Sequence, residues 1–291
     1  MMETIGMIGL GAMGHGIAQN ILSHDYSMLL YDLRPEAAQS LASPKAHVAG
    51  SLQEVGATVD CIIMIVNAFP HCINVLNGLL ETMNHGTIIN MSTISMDEAE
   101  ELGRIAASKG IQMLDCPVSG GTAGARDGTL TVMASGDSEL FQKYQSLFHS
   151  FASHVVYVGQ NPGQGQAVKA INQLLVGVHM CATAEAFTLA KKAGLDLQLV
   201  YDTIRISAGN SRIFENRGQF LIDRDFSTRS TLQIQLKDTD IAWRTANLVG
   251  APALLCGTAR ELFKLAVAKF PPTDDSIEVA RLYEELCGLG E

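Results

Sequence analysis

The chain has 291 residues, 47% of them hydrophobic, and its 30 acidic side chains against 20 Lys and Arg leave a net charge of -10. The acidic balance excludes a phosphate backbone as partner, so no nucleic acid is expected. The apolar content excludes a disordered chain, and uninterrupted apolar runs such as 61–66 fall short of the ~20 residues of a membrane span, so no membrane is expected either.

Cysteines at 61, 72, 116, 181, 256 and 287 show no paired or metal-like spacing, and the eight histidines form no HExxH pattern. Metal chemistry is therefore not expected. Reduced thiols, and a first motif that begins within ten residues of Met1, point to the cytoplasm.

In chain order, the sequence predicts a strand over 4–8, the turn Gly9-Leu10-Gly11-Ala12-Met13-Gly14, a helix over 15–23 and a strand over 28–31 that ends in Asp32. Gly9 permits the tight turn, Gly11 lets a pyrophosphate approach the backbone, and Gly14 lets helix and strand pack closely. The helix N-terminus offers N–H groups and a positive dipole end to phosphates. An acid 18 residues beyond Gly14 completes a dinucleotide-binding pattern. At the end of the second strand, Asp32 suits a ribose 2′-hydroxyl and repels a 2′-phosphate, which favours NAD over NADP; Arg34, two residues on, is the feature that argues for the phosphate.

Alternation continues, with apolar strands predicted over 61–66 and 87–91. A helix follows over 96–108, opened by the capping box Ser95-x-x-Glu98 and stopped by Gly110. Further strands are predicted over 111–114, 130–134 and 155–158. Ligands in such sheets sit outside the carboxyl ends of the strands, so the loops at 9–14, 67–70 and 92–95 are candidates to form a site. So is Asp115-Cys-Pro-Val-Ser-Gly-Gly121, where glycines expose N–H groups beside Ser119 in a nest able to hold a carboxylate.

After Gly165 strand signals stop. Helices are predicted over 163–194, 196–208, 231–249, 253–269 and 276–286, with Asn210 to Arg217 as a polar connector and the Lys237-Asp238 pair mid-helix, where spacing alone leaves open whether the pair lies on a solvated face or serves a site. The expected fold class is an α/β Rossmann-type doubly wound sheet over 1–162 followed by an all-α domain over 163–291. About 30 residues of helix at 1.5 Å each gives the 163–194 segment a length of about 45 Å. Val168, Ile171, Leu175, Val178, Ala182, Ala186 and Leu189 fall along it at helical spacing. Lys169 is the one Asp, Glu, Lys or Arg between Lys143 and Glu185. With Asn172 and Gln173 at i+3 and i+4 it shares a helix face, and a charge in so apolar a helix needs a partner or a task.

Taken together, the 9–14 turn, the DCPVSGG string, GxGxxxKxxN at 163–172 and Lys237-Asp238 resemble the β-hydroxyacid dehydrogenase (3-hydroxyisobutyrate dehydrogenase-like) family over essentially the whole chain. The resemblance implies NAD-dependent oxidation of a short hydroxy acid, and a homodimer or homotetramer formed through the helical domain. It assigns Lys169 as the catalytic acid/base and Asn172 as its neighbour. Ser119, Gly120 and Gly121 become the carboxylate loop, with Thr93, Val66 and Lys237 beside the cofactor; the family's strand-end Leu-Pro is Val66-Asn67 here. Strings such as INQLLVGVHM and AGNS-x-x-FENR look closest to the branch acting on four-carbon acid sugars such as L-threonate, with Asn210, Ser211 and Asn216 bonding the extra hydroxyls. Tartronate semialdehyde and 3-hydroxyisobutyrate are the alternative substrates. From another class, a non-catalytic NAD-binding sensor is opposed by the joint presence of Lys169 and Asn172.

Overall fold

Short apolar runs need partners for their backbone groups, and in the computed structural model, which describes residues 3–289, they find them in one sheet. Its strands are β1 (Glu3–Ile8), β2 (Tyr26–Tyr31), β3 (Ala46–Val48), β4 (Cys61–Met64), β5 (Thr87–Asn90), β6 (Gln112–Asp115), β7 (Val118–Ser119), β8 (Leu130–Ser135) and β9 (Ala152–Gly159). They lie in the order β3-β2-β1-β4-β5-β6-β8-β7, with β9 beside β8. The first six pair in parallel, β8 runs antiparallel to β6 and β7, and β9 is parallel to β8. The order 3-2-1-4-5-6 is that of a dinucleotide-binding sheet, whose strand order reverses between β1 and β4.

Helices α1 (Ala12–Leu22), α2 (Pro35–Gln39), α3 (Leu52–Thr58), α4 (Phe69–Leu80), α5 (Met96–Ser108), α6 (Gly121–Asp127), α7 (Ser138–Lys143) and α8 (Gln145–His149) cover the two faces. Ile5, Met7 and Ile63 pack with Ile17 and Phe148 on one side. Ile8, Ile62 and Met64 pack with Val55, Leu76 and Leu102 on the other. Side chains alternate across a strand, so a strand covered on both faces is apolar throughout, as β4 is.

The chain divides into two compact units, one ending at Lys169 and one beginning at Ala170. The second contains most of α9 (Gln164–Lys192) together with α10 (Leu197–Ile204), α11 (Arg212–Asp223), α12 (Leu232–Leu248), α13 (Leu254–Lys269), a short 3-10 turn and α14 (Val279–Leu286). Its core gathers Met180, Phe187, Tyr201, Phe214, Phe263 and Ile277.

Three features differ from expectation. The apolar stripe of α9 faces outward, with Ile171 61%, Leu175 47% and Leu189 69% exposed, while Gln173, Met180, Ala184, Phe187 and Thr188 are buried. In a helix apolar nearly all round, periodicity does not choose the face; what packs against it does. The connector from Asn210 is helical from Arg212 on, because Ser211 caps α11 by accepting the Phe214 N–H at 3.1 Å. Finally, α9 as a whole is long and apolar enough to cross a membrane (mean hydropathy 1.2 over 18 residues), although its longest charge-free runs are interrupted by polar groups; half of that window is buried inside the protein. The core helix of a globular protein meets the same description.

Phe263 is fully buried at the centre of the second unit. Phe263→Ala is expected to lower unfolding free energy by about 3–5 kcal/mol, read as a shifted denaturation midpoint at unchanged slope.

Candidate active site

At the head of α1 the three glycines separate by task. Gly9 holds φ +90°, and a Cβ there would lie 2.1 Å from the Ile65 carbonyl oxygen; one on Gly14 would lie 1.9 Å from the Gly9 oxygen. Both positions close the turn. A Cβ on Gly11 would meet no atom within 4 Å, so Gly11 leaves an open cradle rather than room for packing. Gly11 is the N-cap of α1 and contributes no side-chain cap, and the first-turn N–H groups of a helix have no acceptor one turn back. A groove of about 380 Å³ opens here, lined by Leu10, Gly11, Ala12, His15, Arg34 and Glu36 among others.

Asp32 follows β2 and is fixed in place. Its carboxylate accepts the Leu10 N–H at 2.7 Å and the Arg34 N–H at 2.8 Å. A positioned carboxylate, a glycine cradle and a helix N-terminus together fit the ribose and pyrophosphate of a dinucleotide.

The remaining first-unit candidates lie on loops after strands. Val66 follows β4, and its N–H donates to Ser92 Oγ at 2.9 Å, tying that loop to the one that carries Thr93. Ser119 ends β7, Gly120 (φ +134°) and Gly121 (φ +64°) adopt backbone conformations that favour glycine, and a Cβ on Gly121 would meet only open space. Open space beside Gly121 is what a ligand approaching the backbone requires.

Lys169 closes the first unit and is buried, at 7% exposure. It lies in the second turn of α9, whose start is held by Asp115, the last residue of β6. Asp115 Oδ2 accepts the Gly163 N–H at 3.1 Å and the Gln166 N–H at 3.2 Å, and Oδ1 accepts Gln166 Nε2 at 2.7 Å. Ser135 Oγ accepts the Gly165 N–H at 2.9 Å. The glycines of this string make the approach feasible: a Cβ on Gly165 would stand 2.5 Å from the Met133 oxygen and 2.9 Å from that of Asp115. Burial pushes the Asp115 carboxyl up from 3.8 to about 6, against hydrogen bonds from Gln166, Gly163 and Ser135 that pull it down.

In the second unit, Lys237 and Asp238 join a polar line in which Gln173 and Asp238 are buried and Asn172 and Lys237 partly buried. Asn172 Nδ2 donates to Gln173 Oε1 at 2.7 Å, Gln173 Nε2 donates to Asp238 Oδ2 at 2.5 Å, and Lys237 Nζ lies 3.0 Å from Asp238 Oδ1. Asn172 and Lys237 are thus linked, through two residues, Gln173 and Asp238, to which sequence pattern assigned no role. Asn210 stands apart from that line: Nδ2 donates to the Arg205 carbonyl at 2.8 Å and to Glu215 Oε1 at 2.7 Å, leaving Oδ1 among the described buried oxygens without a hydrogen-bond partner. Asp115 and Gln166 were visible only as members of the DCPVSGG and GQGQ strings, because their bonds span 51 positions.

Residues 4–159 match the NAD-binding domain model of 6-phosphogluconate dehydrogenase, and residues 163–283 match the model described as NAD-binding of NADP-dependent 3-hydroxyisobutyrate dehydrogenase. The chain is 37% identical to an L-threonate dehydrogenase of Cupriavidus necator, over 100% of both chains. Among solved structures, 3-hydroxyisobutyrate dehydrogenase from Salmonella typhimurium is 35% identical with a TM-score of 0.87, covering 96% of this chain and 99% of its own. The Mycobacterium tuberculosis 3-hydroxyisobutyrate dehydrogenase solved with L-serine is 29% identical with a TM-score of 0.89, covering 97% and 99%.

Two variants separate cradle from packing. Gly11→Val is expected to keep the parent's melting temperature while weakening NADH binding at least tenfold, whereas Gly14→Ala lowers the melting temperature itself; calorimetry and NADH fluorescence titration read the two. Asp115 yields a pH test. In the folded chain it keeps its proton up to about 6, where an unfolded chain releases it near 3.8, so folded stability falls as pH rises through that window. Asp115→Asn removes the slope: the parent's stability relative to the variant drops by about 2 kcal/mol between pH 4 and pH 6, most steeply midway, where the slope approaches about 1.4 kcal/mol per pH unit.

Proposed function

The chain belongs to the 3-hydroxyisobutyrate dehydrogenase-like family of β-hydroxyacid dehydrogenases, close to the L-threonate dehydrogenases, and we propose that it oxidises L-threonate or a similar four-carbon acid sugar with NAD. As a family member it is an NAD(P)-dependent hydroxyacid dehydrogenase. The observation that carries the substrate assignment is the 37% identity to an L-threonate dehydrogenase along the full length of both chains.

In this proposal the segment 1–162 binds the cofactor, and 163–291 completes the substrate side and mediates assembly. NAD held by this segment would supply the hydride acceptor for the oxidation. The protein orients and moves the proton. Backbone N–H groups from Gly11 to Gly14 would hold the pyrophosphate, those of Gly9 and Leu10 being bonded to the Tyr31 carbonyl and to Asp32; Asp32 would hold the ribose hydroxyls, with Val66, Thr93 and Lys237 toward the nicotinamide side. The N–H groups of Ser119, Gly120 and Gly121 would hold the substrate carboxylate. The Lys169 amine takes the proton from the substrate hydroxyl during oxidation and returns it to the alkoxide in reduction. Asn172, its amide held by Gln173, orients that hydroxyl. Asn210 would bond a further hydroxyl, and a site that pairs hydroxyls discriminates strongly against acids lacking them.

Asp32, whose carboxylate repels a 2′-phosphate, supports NAD rather than NADP; Arg34, two residues on, points the other way, but its own N–H and Nε are directed to Asp32. Assembly as a homodimer or homotetramer is supported by the outward leucines of α9 and by an apolar groove of about 710 Å³ beside Trp243, Leu254 and Leu265, since exposed apolar patches mark interaction sites. A cytoplasmic setting suits the free thiols of all six cysteines.

Lys169→Ala is expected to reduce turnover 10²- to 10⁴-fold, the usual contribution of a general acid–base group; a loss below about tenfold rejects its role. In an NADH-production screen over threonate, erythronate, glycerate and 3-hydroxyisobutyrate, the four-carbon acids should lead, and a preference for 3-hydroxyisobutyrate rejects the substrate assignment. Parallel assays with NAD and NADP should favour NAD in kcat/KM.

A further inference from the structure

We propose that Asp115 and Gln166 are positioning residues that fix the Lys169 amine relative to the loop carrying Thr93. The inference rests on the assignment of proton transfer to Lys169. It stands on the use made of a single side-chain amide. Gln166 Nε2 donates to the Ser92 carbonyl at 2.9 Å and to Asp115 Oδ1 at 2.7 Å, while its Oε1 accepts the Ile94 N–H at 3.3 Å. Both N–H bonds and the oxygen are therefore committed, and two of the three partners are the residues immediately before and after Thr93.

One turn further along α9, at i+3 from Gln166, comes Lys169, so the two side chains leave the same face of the helix. Both are buried. Rotation or sliding of the first turn of α9 would carry Lys169 with it, and would break the bonds on either side of Thr93. Asp115 prevents that movement from beneath. It holds the turn at Gly163 and Gln166 by their backbone N–H groups, and it holds the Gln166 side chain as well. The connection continues to the β4 loop, since Ser92 Oγ accepts the Val66 N–H and the Ser92 N–H donates to Asn90 Oδ1 at 3.2 Å.

A carboxylate suits this position for a physical reason. It accepts several N–H groups at once and sits at the positive end of the α9 dipole. An apolar residue there would leave the Gly163 and Gln166 N–H groups buried without acceptors. Gly163 and Gly165 serve the same end: a Cβ on Gly163 would come within 2.7 Å of the Met96 oxygen, and one on Gly165 within 3.1 Å of Asp115 Oδ2.

The test compares the parent with Asp115→Asn, Gln166→Met and Lys169→Ala, with kcat expressed per NADH-binding site so that unfolded protein does not count. The first two variants should bind NADH within about threefold of the parent. They should lower kcat about 10- to 100-fold, as expected for misplacement on the ångström scale, change KM for the hydroxy acid less than kcat, and displace the apparent pKa of the kcat–pH profile. A role in stability alone would lower the melting temperature and leave that profile in place. If Lys169→Ala is inactive while Gln166→Met keeps the parent's kcat and pH profile, the positioning role is overturned and the lysine assignment stands. If Lys169→Ala stays active, the lysine assignment falls and takes the positioning role with it. Should Asp115→Asn not fold, Gln166→Met alone decides.

Discussion

A buried carboxylate lies under the first turn of the longest helix in this protein, and much of the candidate site hangs on how it is satisfied. An ion in the interior is costly unless its lone pairs are filled. Asp115 fills them with neutral donors: the backbone N–H groups of Gly163, just before α9, and of Gln166 in its first turn, the Gln166 amide and the Ser135 hydroxyl. In return it caps a helix end whose orphan N–H groups would otherwise be buried. Stability is sacrificed as the carboxyl ionises through its raised pKa, and a fixed helix start is obtained. Lys169 is the charged group nearest to that start along α9.

The same logic of close approach runs through the glycines. At Gly9, Gly14, Gly163 and Gly165 a methyl group would collide with a backbone oxygen, so these residues make dense packing feasible. At Gly11 and Gly121 a methyl group would meet nothing within 4 Å. The vacant volume at these two positions is what a ligand approaching the backbone requires. One residue type thus serves two ends, and it is the surroundings of each glycine that tell them apart.

In the helical unit, a polar line runs from partly buried Asn172 through buried Gln173 and Asp238 to partly buried Lys237. Such a line rigidifies when its members are paired and is costly when they are not. The pairing within it explains why Gln173 and Asp238 are buried on helices with ample apolar surface to offer instead.

Much of this was legible in the residues themselves. Strand-length apolar runs, the glycine turn ahead of α1, the acid after β2 and the Ser95–Glu98 capping box, whose Glu98 Oε2 accepts the Ser95 N–H at 2.9 Å, are local patterns with local causes. Periodicity located α5, α9, α12 and α13 to within a residue or two. Three-residue β3 and two-residue β7 carry too little pattern to stand out, and α11 was concealed by its polar first turn. The tertiary structure alone decided which stripe of α9 is buried, that Asp238 is interior, and that Asp115 and Gln166 meet. Those outcomes depend on which surface lies opposite, and the identity of the opposing surface is set by contacts between residues far apart in the chain.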